Sequence, residues 1–190
     1  MSAVILLATA FLPTLGVEFS WVTVHWVTGI VVAATVSIHV VRALFWRDLS
    51  SMRIGLEDLR EGIRLAKYTL RRSHVPPALA GKYSLAQKAI HHLFAVVVLA
   101  TIVTGGLMLV KVDTPWWERD PYWLGEDTWG LIYVLHDLAA LLLITMVLIH
   151  IYFALRPEKF FFTRSMIVGW ITREEHASHY DPERWRAGPE

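Results

Sequence analysis

The chain has 190 residues, of which 55% are hydrophobic, and its formal net charge is only +1. This apolar content, collected in long blocks, excludes an ordinary soluble domain, and the near-neutral charge implies no nucleic acid or other polyanion as a partner. The absence of cysteine excludes disulfides, cysteine-ligated iron–sulfur clusters and haem attached through a C-x-x-C-H motif.

Long stretches without formal charge predict membrane-spanning helices. A bilayer core about 30 Å thick requires about 20 consecutive apolar residues per helix. Residues 20–41 and 89–110 contain no Lys, Arg, Asp or Glu, and Asp137 is the only formal charge within 128–155. We therefore predict an all-α integral membrane helix bundle with three full spanning helices, at 20–45, 89–110 and 128–155.

The remaining segments complete a single predicted domain, 1–190. Residues 1–17 are apolar but short and interrupted by Pro13, so we predict a short hydrophobic helix there, either partial or tilted, or the end of a longer one. The loop 46–88 contains LEDLREGIRLAKYTLRR, in which apolar residues recur at helical spacing. This pattern predicts a cytoplasmic surface helix with a basic face.

The distribution of charge predicts the orientation. Residues 42–88 carry ten Lys and Arg against four acids, whereas residues 111–127 carry two against five. The positive-inside rule places the 46–88 loop and the tail 156–190 in the cytoplasm, and the 111–127 loop outside. The outer loop is rich in tryptophan, which is typical of an interfacial aromatic belt; the alternative is a docking surface for an extramembrane partner.

Two matched pairs of histidines lie within the predicted helices. His25 and His39 are fourteen residues apart, and so are His136 and His150. Fourteen residues turn about 1400°, close to four full turns, so each pair lies on one face of its helix, about 21 Å apart along the axis. The first and third helices run in the same direction. We therefore predict that His25 faces His136 near the outer surface, and that His39 faces His150 near the inner one.

Two neutral imidazoles that face each other are what a six-coordinate haem iron requires. Ionisable residues inside spanning helices are usually functional, and two matched pairs favour two haem b groups over four independent histidines. A proton relay is the other functional reading, although Asp137 is the only candidate carboxylate. Zinc fits less well, because tetrahedral sites need three or four protein ligands.

Residues near the histidines are compatible with haem. Gly29 follows His25 by one turn, and Gly105 and Gly106 lie in the second helix, where missing side chains allow a flat macrocycle to approach; close helix packing is the alternative. Arg42 and Arg156 follow the inner histidines and are candidate partners for haem propionates, or snorkel to lipid headgroups. Thr35 is a candidate hydrogen-bond partner of His39.

Several segments resemble the di-haem membrane cytochrome b subunits of formate dehydrogenases, nickel–iron hydrogenases and related quinone-linked complexes. The segments that carry the resemblance are HWVTG, GKYSLAQK, TGGLML, LIYVLHDLAALLLITMVLIHIYFAL and FTRSMIVGWITREEHASHYDPERW. Two departures are informative. A helix that in the formate dehydrogenase branch supplies one haem histidine corresponds at best to 1–17, which has none, so His39 takes that position. The family's GKYN asparagine is Ser84 here, which puts its quinone contact in doubt.

The resemblance implies a quinone and a redox partner. The polar residues that enter the second helix near the inner histidines are candidates for quinone binding: Ser84, Gln87, Lys88, His91 and His92. Interfacial anchoring is the alternative for Lys88 and His91. We expect the second electron-transfer partner to be an extramembrane subunit, such as an iron–sulfur or multihaem protein, because no substrate-oxidising site is present in the sequence.

The sequence therefore predicts a di-haem cytochrome b of a bacterial or archaeal inner membrane, with its C-terminus in the cytoplasm. We expect an electron-transfer, quinone-reactive subunit of an oxidoreductase in contact with membrane lipid, not a stand-alone enzyme and not a nucleic-acid binder. The alternative is a haem-free anchor subunit that conducts protons or is purely structural.

Overall fold

A computed structural model describes residues 16, 20–46, 49–72, 74 and 79–186. Six α-helices account for most of these residues: α1 (Trp21–Trp46), α2 (Leu56–Thr69), α3 (Leu85–Met108), α4 (Glu126–Ala154), α5 (Phe160–Val168) and α6 (Arg173–His179). Short 3-10 helices cover Leu49–Met52, Leu109–Lys111 and Pro157–Lys159. Within the described ranges no β-strand forms, and an isolated bridge pairs Ala80 with Tyr180.

Helices α1, α3 and α4 are long and apolar enough to cross a membrane. The predicted all-α fold with three long apolar helices is confirmed, and a shorter helix, α2, forms in the 46–88 loop as predicted. The predicted short helix at 1–17 lies outside the described residues, apart from Gly16.

Two of the long helices, α3 and α4, begin earlier in the chain than predicted. Helix α3 begins at Leu85, four residues before the predicted 89, because Ser84 and Gln87 form a capping box at its N-terminus. The backbone N–H of Ser84 donates to Gln87 Oε1 at 2.8 Å, and the backbone N–H of Gln87 donates to Ser84 Oγ at 3.3 Å. Helix α4 begins at Glu126, and the carboxylates of Glu126 and Asp127 in its first turn interact favourably with the helix dipole.

The chain divides into two compact units. The first unit comprises Met1–Trp46 and Phe94–Leu148, and the second comprises Arg47–Leu93 and Ile149–Glu190. This division into units does not test the expectation that residues 1–190 form a single domain, which stays a prediction.

The first unit buries little of its apolar surface within the protein. Helix α4 presents one buried face, formed by residues at helical spacing: Trp129, Ile132, His136 and Ala139. None of the described side chains of α1 is buried, although α1 is strongly apolar and carries no formal charge from Trp21 to Val41. A helix that is hydrophobic all round requires an apolar environment, which lipid supplies for a membrane protein.

The second unit joins α2, the start of α3 and the C-terminal tail through polar contacts. The buried carboxylate of Asp58 on α2 accepts from Lys88 Nζ on α3 at 2.8 and 2.9 Å. Glu61 on α2 pairs with Arg184 of the tail. The Asp181 amide donates to the Ala80 carbonyl at 2.9 Å, so the predicted cytoplasmic tail folds back onto the segment before α3.

An aromatic cluster closes the tail. Tyr180 packs against the rings of His176 and Trp185, with centroid distances of 5.7 and 4.5 Å. Burial, together with the nearby Tyr83, raises the pKa of Tyr180 to about 12. The phenol therefore stays protonated at physiological pH and behaves as a packing group.

Candidate functional site

Two of the four predicted haem ligands face each other in the first unit. His25 on α1 and His136 on α4 have ring centroids 6.1 Å apart and planes at 87°. His136 is 9% exposed, while His25 is exposed. The structure therefore brings together the histidines that the sequence predicts as the outer pair.

Thr104 on α3 holds the His136 ring. Its Oγ1 lies 2.9 Å from His136 Nδ1 and also donates to the Ala100 carbonyl at 2.6 Å. A hydroxyl has one proton to donate. Because that proton goes to Ala100, Thr104 Oγ1 accepts the Nδ1 proton of His136, and in the neutral ring Nε2 carries no proton. Nε2 of His136 then keeps its lone pair for a metal, an orienting arrangement that is common around metal-bound histidines.

Gly105 makes room for the same ring. A Cβ at Gly105 would lie 3.1 Å from His136 Cε1, closer than an ordinary van der Waals contact. The glycine therefore allows α3 to approach the imidazole itself. Gly29 and Gly106 differ, since a Cβ at either position would meet no protein atom within 4 Å. Open space beside Gly29 is compatible with a flat ligand next to His25.

The spacing of the two imidazoles fits the haem geometry. An imidazole nitrogen binds a transition metal at about 2 Å, and the ring centroid lies about 1 Å behind it, so rings on opposite sides of one iron are about 6 Å apart. The observed 6.1 Å agrees with this distance. Because the pair supplies two imidazoles between long apolar helices, the residues present would fit a haem iron.

The predicted inner pair is distributed over both units. His39 lies in the first unit on α1 and His150 in the second on α4. Each helix is continuous between its two histidines, as the spacing argument requires, and the pairing of His39 with His150 stays a prediction. The candidate propionate partners are both exposed: Arg42 follows His39 on α1, and Arg156 pairs with Glu158 at 3.2 Å.

The predicted quinone residues lie around the first turns of α3 in the second unit. Ser84 and Gln87 are bonded to each other in the capping box described above. Lys88 Nζ has three donors, and it bonds both carboxylate oxygens of Asp58 as well as the Arg53 carbonyl, at 3.0 Å. A quinone contact by Lys88 would therefore require one of these bonds to be exchanged.

The Asp58 carboxyl is held in its charged form. Burial acts to raise its pKa, but hydrogen bonds from the Gly55 amide and from Lys88, with the positive charges of Lys88 and Arg184, lower the pKa below the ordinary value of 3.8. The Asp58 carboxylate is therefore ionised near neutral pH. Asp58 thus fixes Lys88 and ties α2 to the start of α3.

His92 is the predicted quinone residue whose local geometry suits proton exchange. Its Nδ1 lies 2.7 Å from the Lys88 carbonyl oxygen. Because a carbonyl only accepts, Nδ1 carries the proton, and Nε2 is the acceptor of the neutral ring. The exposed ring of His92 lies edge-on to the ring of His91, with centroids 5.8 Å apart.

The long apolar helices and the facing imidazoles define a class: an integral membrane protein with a bis-histidine site of the kind that holds haem iron. The chain belongs to the prokaryotic cytochrome b561 family, whose family model matches residues 1–169. It is therefore a membrane b-type cytochrome that binds haem b and takes part in electron transfer.

The family match confirms the resemblance to the cytochrome b subunits of nickel–iron hydrogenases and formate dehydrogenases. The match ends at residue 169, so the resemblance of the tail beyond that residue stays a prediction. A search of the curated proteins and a search of the solved structures each found no significant match.

Two residues of the site were not predicted from the sequence. Thr104 lacks a sequence signal, because its contact with His136 depends on how α3 is rotated against α4. From the sequence, Asp58 is predicted only to lie in a surface helix. An acidic residue among the apolar and basic residues of an amphipathic helix is nevertheless a candidate ion-pair partner for a lysine. Ser84-Leu-Ala-Gln87 did carry a readable signal, since S-x-x-Q before an apolar run is a capping box.

Proposed function

We propose that this chain is a di-haem cytochrome b that passes electrons between an extramembrane redox subunit and the quinone pool. The observation that carries the proposal is the facing pair His25–His136, with centroids 6.1 Å apart and Nδ1 of His136 held by Thr104 at 2.9 Å. In this proposal His25 and His136 hold the outer haem.

The inner haem is assigned to His39 and His150. This assignment is supported by the equal spacing of the two pairs and by the continuity of α1 and α4 between them. Two sites about 21 Å apart along the helix axes would cover most of a bilayer core about 30 Å thick. Such a separation suits electron transfer across the membrane.

A bound haem supplies reversible one-electron chemistry at its iron. The protein's contribution would be two imidazoles, those of His25 and His136, that hold the iron. Thr104 fixes the tautomer of His136, and Gly105 fixes the distance of α3 from its ring. The apolar side chains of the long helices would keep water away from the iron.

The quinone site is proposed at the start of α3, on the side of the inner haem. His92 supports this assignment, because its neutral Nε2 can accept a proton from a quinol hydroxyl, and the protonated ring can donate one to a quinone oxygen. Ser84, Gln87, Lys88 and His91 lie within the same two turns. In this proposal Lys88 positions His92 through its carbonyl instead of contacting the quinone with its ammonium group.

The loop before α4 is proposed as the surface that meets the redox subunit. Trp129 is a core residue, 3% exposed, whereas Trp116 and Tyr122 are 67% and 92% exposed. Exposed aromatic side chains beside the acids Glu118 and Asp120 are typical of a surface that binds a partner whose own contact surface has a basic rim. The charge distribution supports a topology in which this loop faces outward and the 46–88 loop and the C-terminus face the cytoplasm.

Substitution of His136 tests the assignment of the outer site. Purified His136→Ala protein is expected to lose one haem and to keep the spectrum of the other, and His25→Ala is expected to lose the same haem. His74→Ala, at a histidine outside the helices, is the control and should keep both. Two haems in the His136→Ala protein would contradict the assignment, and a colourless wild-type chain would favour the haem-free anchor.

A further inference from the structure

The face of α2 that is turned outward combines apolar and basic side chains. Three large apolar residues of α2 and Leu70, which directly follows the helix, lie within an arc of about 60° and are half to three-quarters exposed: Leu56, Leu59, Ile63 and Leu70. The adjacent arc of about 60° is basic and exposed, and it comprises Arg60, Arg64 and Lys67. We call these seven residues the outer face of α2.

Two of the three carboxylates of α2 are turned inward and neutralised. Asp58 is buried against Lys88, at 2.8 Å, and Glu61 pairs with Arg184. Glu57 lies at the border of the basic row. The three basic residues of the outer face therefore have no compensating acid among the seven residues. The four apolar residues of the same face form an exposed strip beside them.

Helix α2 lies at the level where α3 begins. Gly62 packs against Leu85, where a Cβ would collide with the leucine side chain, and Asp58 contacts Lys88 one turn further along. Leu85 is the first residue of a helix long and apolar enough to cross a membrane. In the topology proposed above, α2 is thus attached to the end of a spanning helix, where the headgroup region of a bilayer would be.

We propose that the outer face of α2 binds the membrane surface and selects anionic phospholipids. Leu56, Leu59, Ile63 and Leu70 enter the boundary between headgroups and acyl chains, and the three basic side chains extend to the phosphates. An amphipathic helix with basic residues beside an apolar strip is typical of such binding. Charge complementarity with anionic headgroups favours lipid over a protein partner, since the face has no acid to match a partner's bases.

The chain contains no cysteine, so single cysteines report the position of α2 without background. Full-length protein with a spin label at Ile63→Cys or Glu57→Cys is placed in nanodiscs of equal parts phosphatidylcholine and phosphatidylglycerol. We expect the label at position 63 to be accessible to oxygen and shielded from a water-soluble nickel reagent. The label at position 57, about 120° away around the helix, should be accessible to the nickel reagent.

Lipid selectivity is tested with R60Q/R64Q/K67Q. After detergent extraction from the same mixture, the ratio of phosphatidylglycerol to phosphatidylcholine retained on the protein should fall at least about threefold relative to wild type. The matched control R119Q/K159Q/R186Q removes the same charge from exposed positions elsewhere and should keep the wild-type ratio.

The proposal is overturned if the label at position 63 is as accessible to the nickel reagent as the label at position 57, which would leave the face available to a protein partner. It is also overturned if both triple variants retain the same lipid ratio. The haem spectrum of each variant separates this inference from the proposed function. A changed lipid ratio with two intact haems supports lipid binding by α2 and leaves the proposed function unaffected. Wild-type protein that contains no haem would instead contradict the electron-transfer assignment.

Discussion

Replacing Thr104 with valine removes a hydroxyl and keeps the shape of the side chain. In the variant the Nδ1 proton of His136, in a ring only 9% exposed, loses the acceptor that lies 2.9 Å away. A buried donor without a partner costs about 1–3 kcal/mol, and loss of such an orienting contact typically weakens metal binding about 10- to 100-fold. We expect the outer haem to bind about 10- to 100-fold more weakly while the inner haem is retained.

The same substitution should raise the midpoint potential of the outer haem. An imidazole that no longer donates its Nδ1 proton is a poorer electron donor to iron, which favours the ferrous state. If the equilibrium between the ferric and ferrous states shifts by about tenfold, the midpoint potential of this one-electron couple shifts by about 59 mV. Redox titration of the haem bands with haem quantification measures both effects.

Thr145→Val is the matched control. Thr145 donates to the Leu141 carbonyl at 2.8 Å within α4, as Thr104 does to Ala100, and we therefore expect wild-type haem content and potentials. Unchanged haem affinity and unchanged midpoints in Thr104→Val would refute the role of Thr104 in fixing His136.

Further expected outcomes concern the inner haem, the quinone and the buried ion pair. His39→Ala should remove the inner haem and keep the outer one; two haems after this change would mean that another residue is the ligand. His92→Gln should slow quinone turnover with both haem spectra intact, and a wild-type rate would move the quinone site elsewhere. Asp58→Asn should lower the free energy of unfolding by about 3 kcal/mol, because Lys88 keeps a buried charge without a counter-ion. Since the pKa of Asp58 is lowered on folding, its contribution is complete above the ordinary value of 3.8 and is lost as the pH falls through the folded pKa. The difference in Tm between wild type and Asp58→Asn should therefore persist from pH 7 to about pH 4 and narrow below it, and a difference that vanishes near neutral pH would contradict the assignment.

The three long helices could be predicted from the sequence because the signal is local. A run of about 20 residues without charge specifies a spanning helix whatever its neighbours are. The starts of α3 and α4 differ from the predicted ones because the prediction begins each helix directly after a charged residue, Lys88 or Asp127. The capping pair Ser84–Gln87 and the acids Glu126 and Asp127 instead extend the helices into polar sequence.

The contacts of the candidate site were predictable only in part. The spacing of histidines along α1 and α4 fixes their faces and depths, which was sufficient to pair His25 with His136. The partner of the imidazole was not predictable, because α3 contains two threonines, Thr101 and Thr104, and only the rotation of that helix selects Thr104. The pair Asp58–Lys88 joins residues thirty positions apart across a loop whose path the sequence does not specify.

The central claim is that this chain holds two haem b groups. The most direct measurement is a pyridine haemochrome count on purified full-length protein, combined with a redox titration of its reduced-minus-oxidised spectrum. We expect two haem b per chain that titrate as two one-electron components. A count of one, or a colourless protein, would contradict the claim.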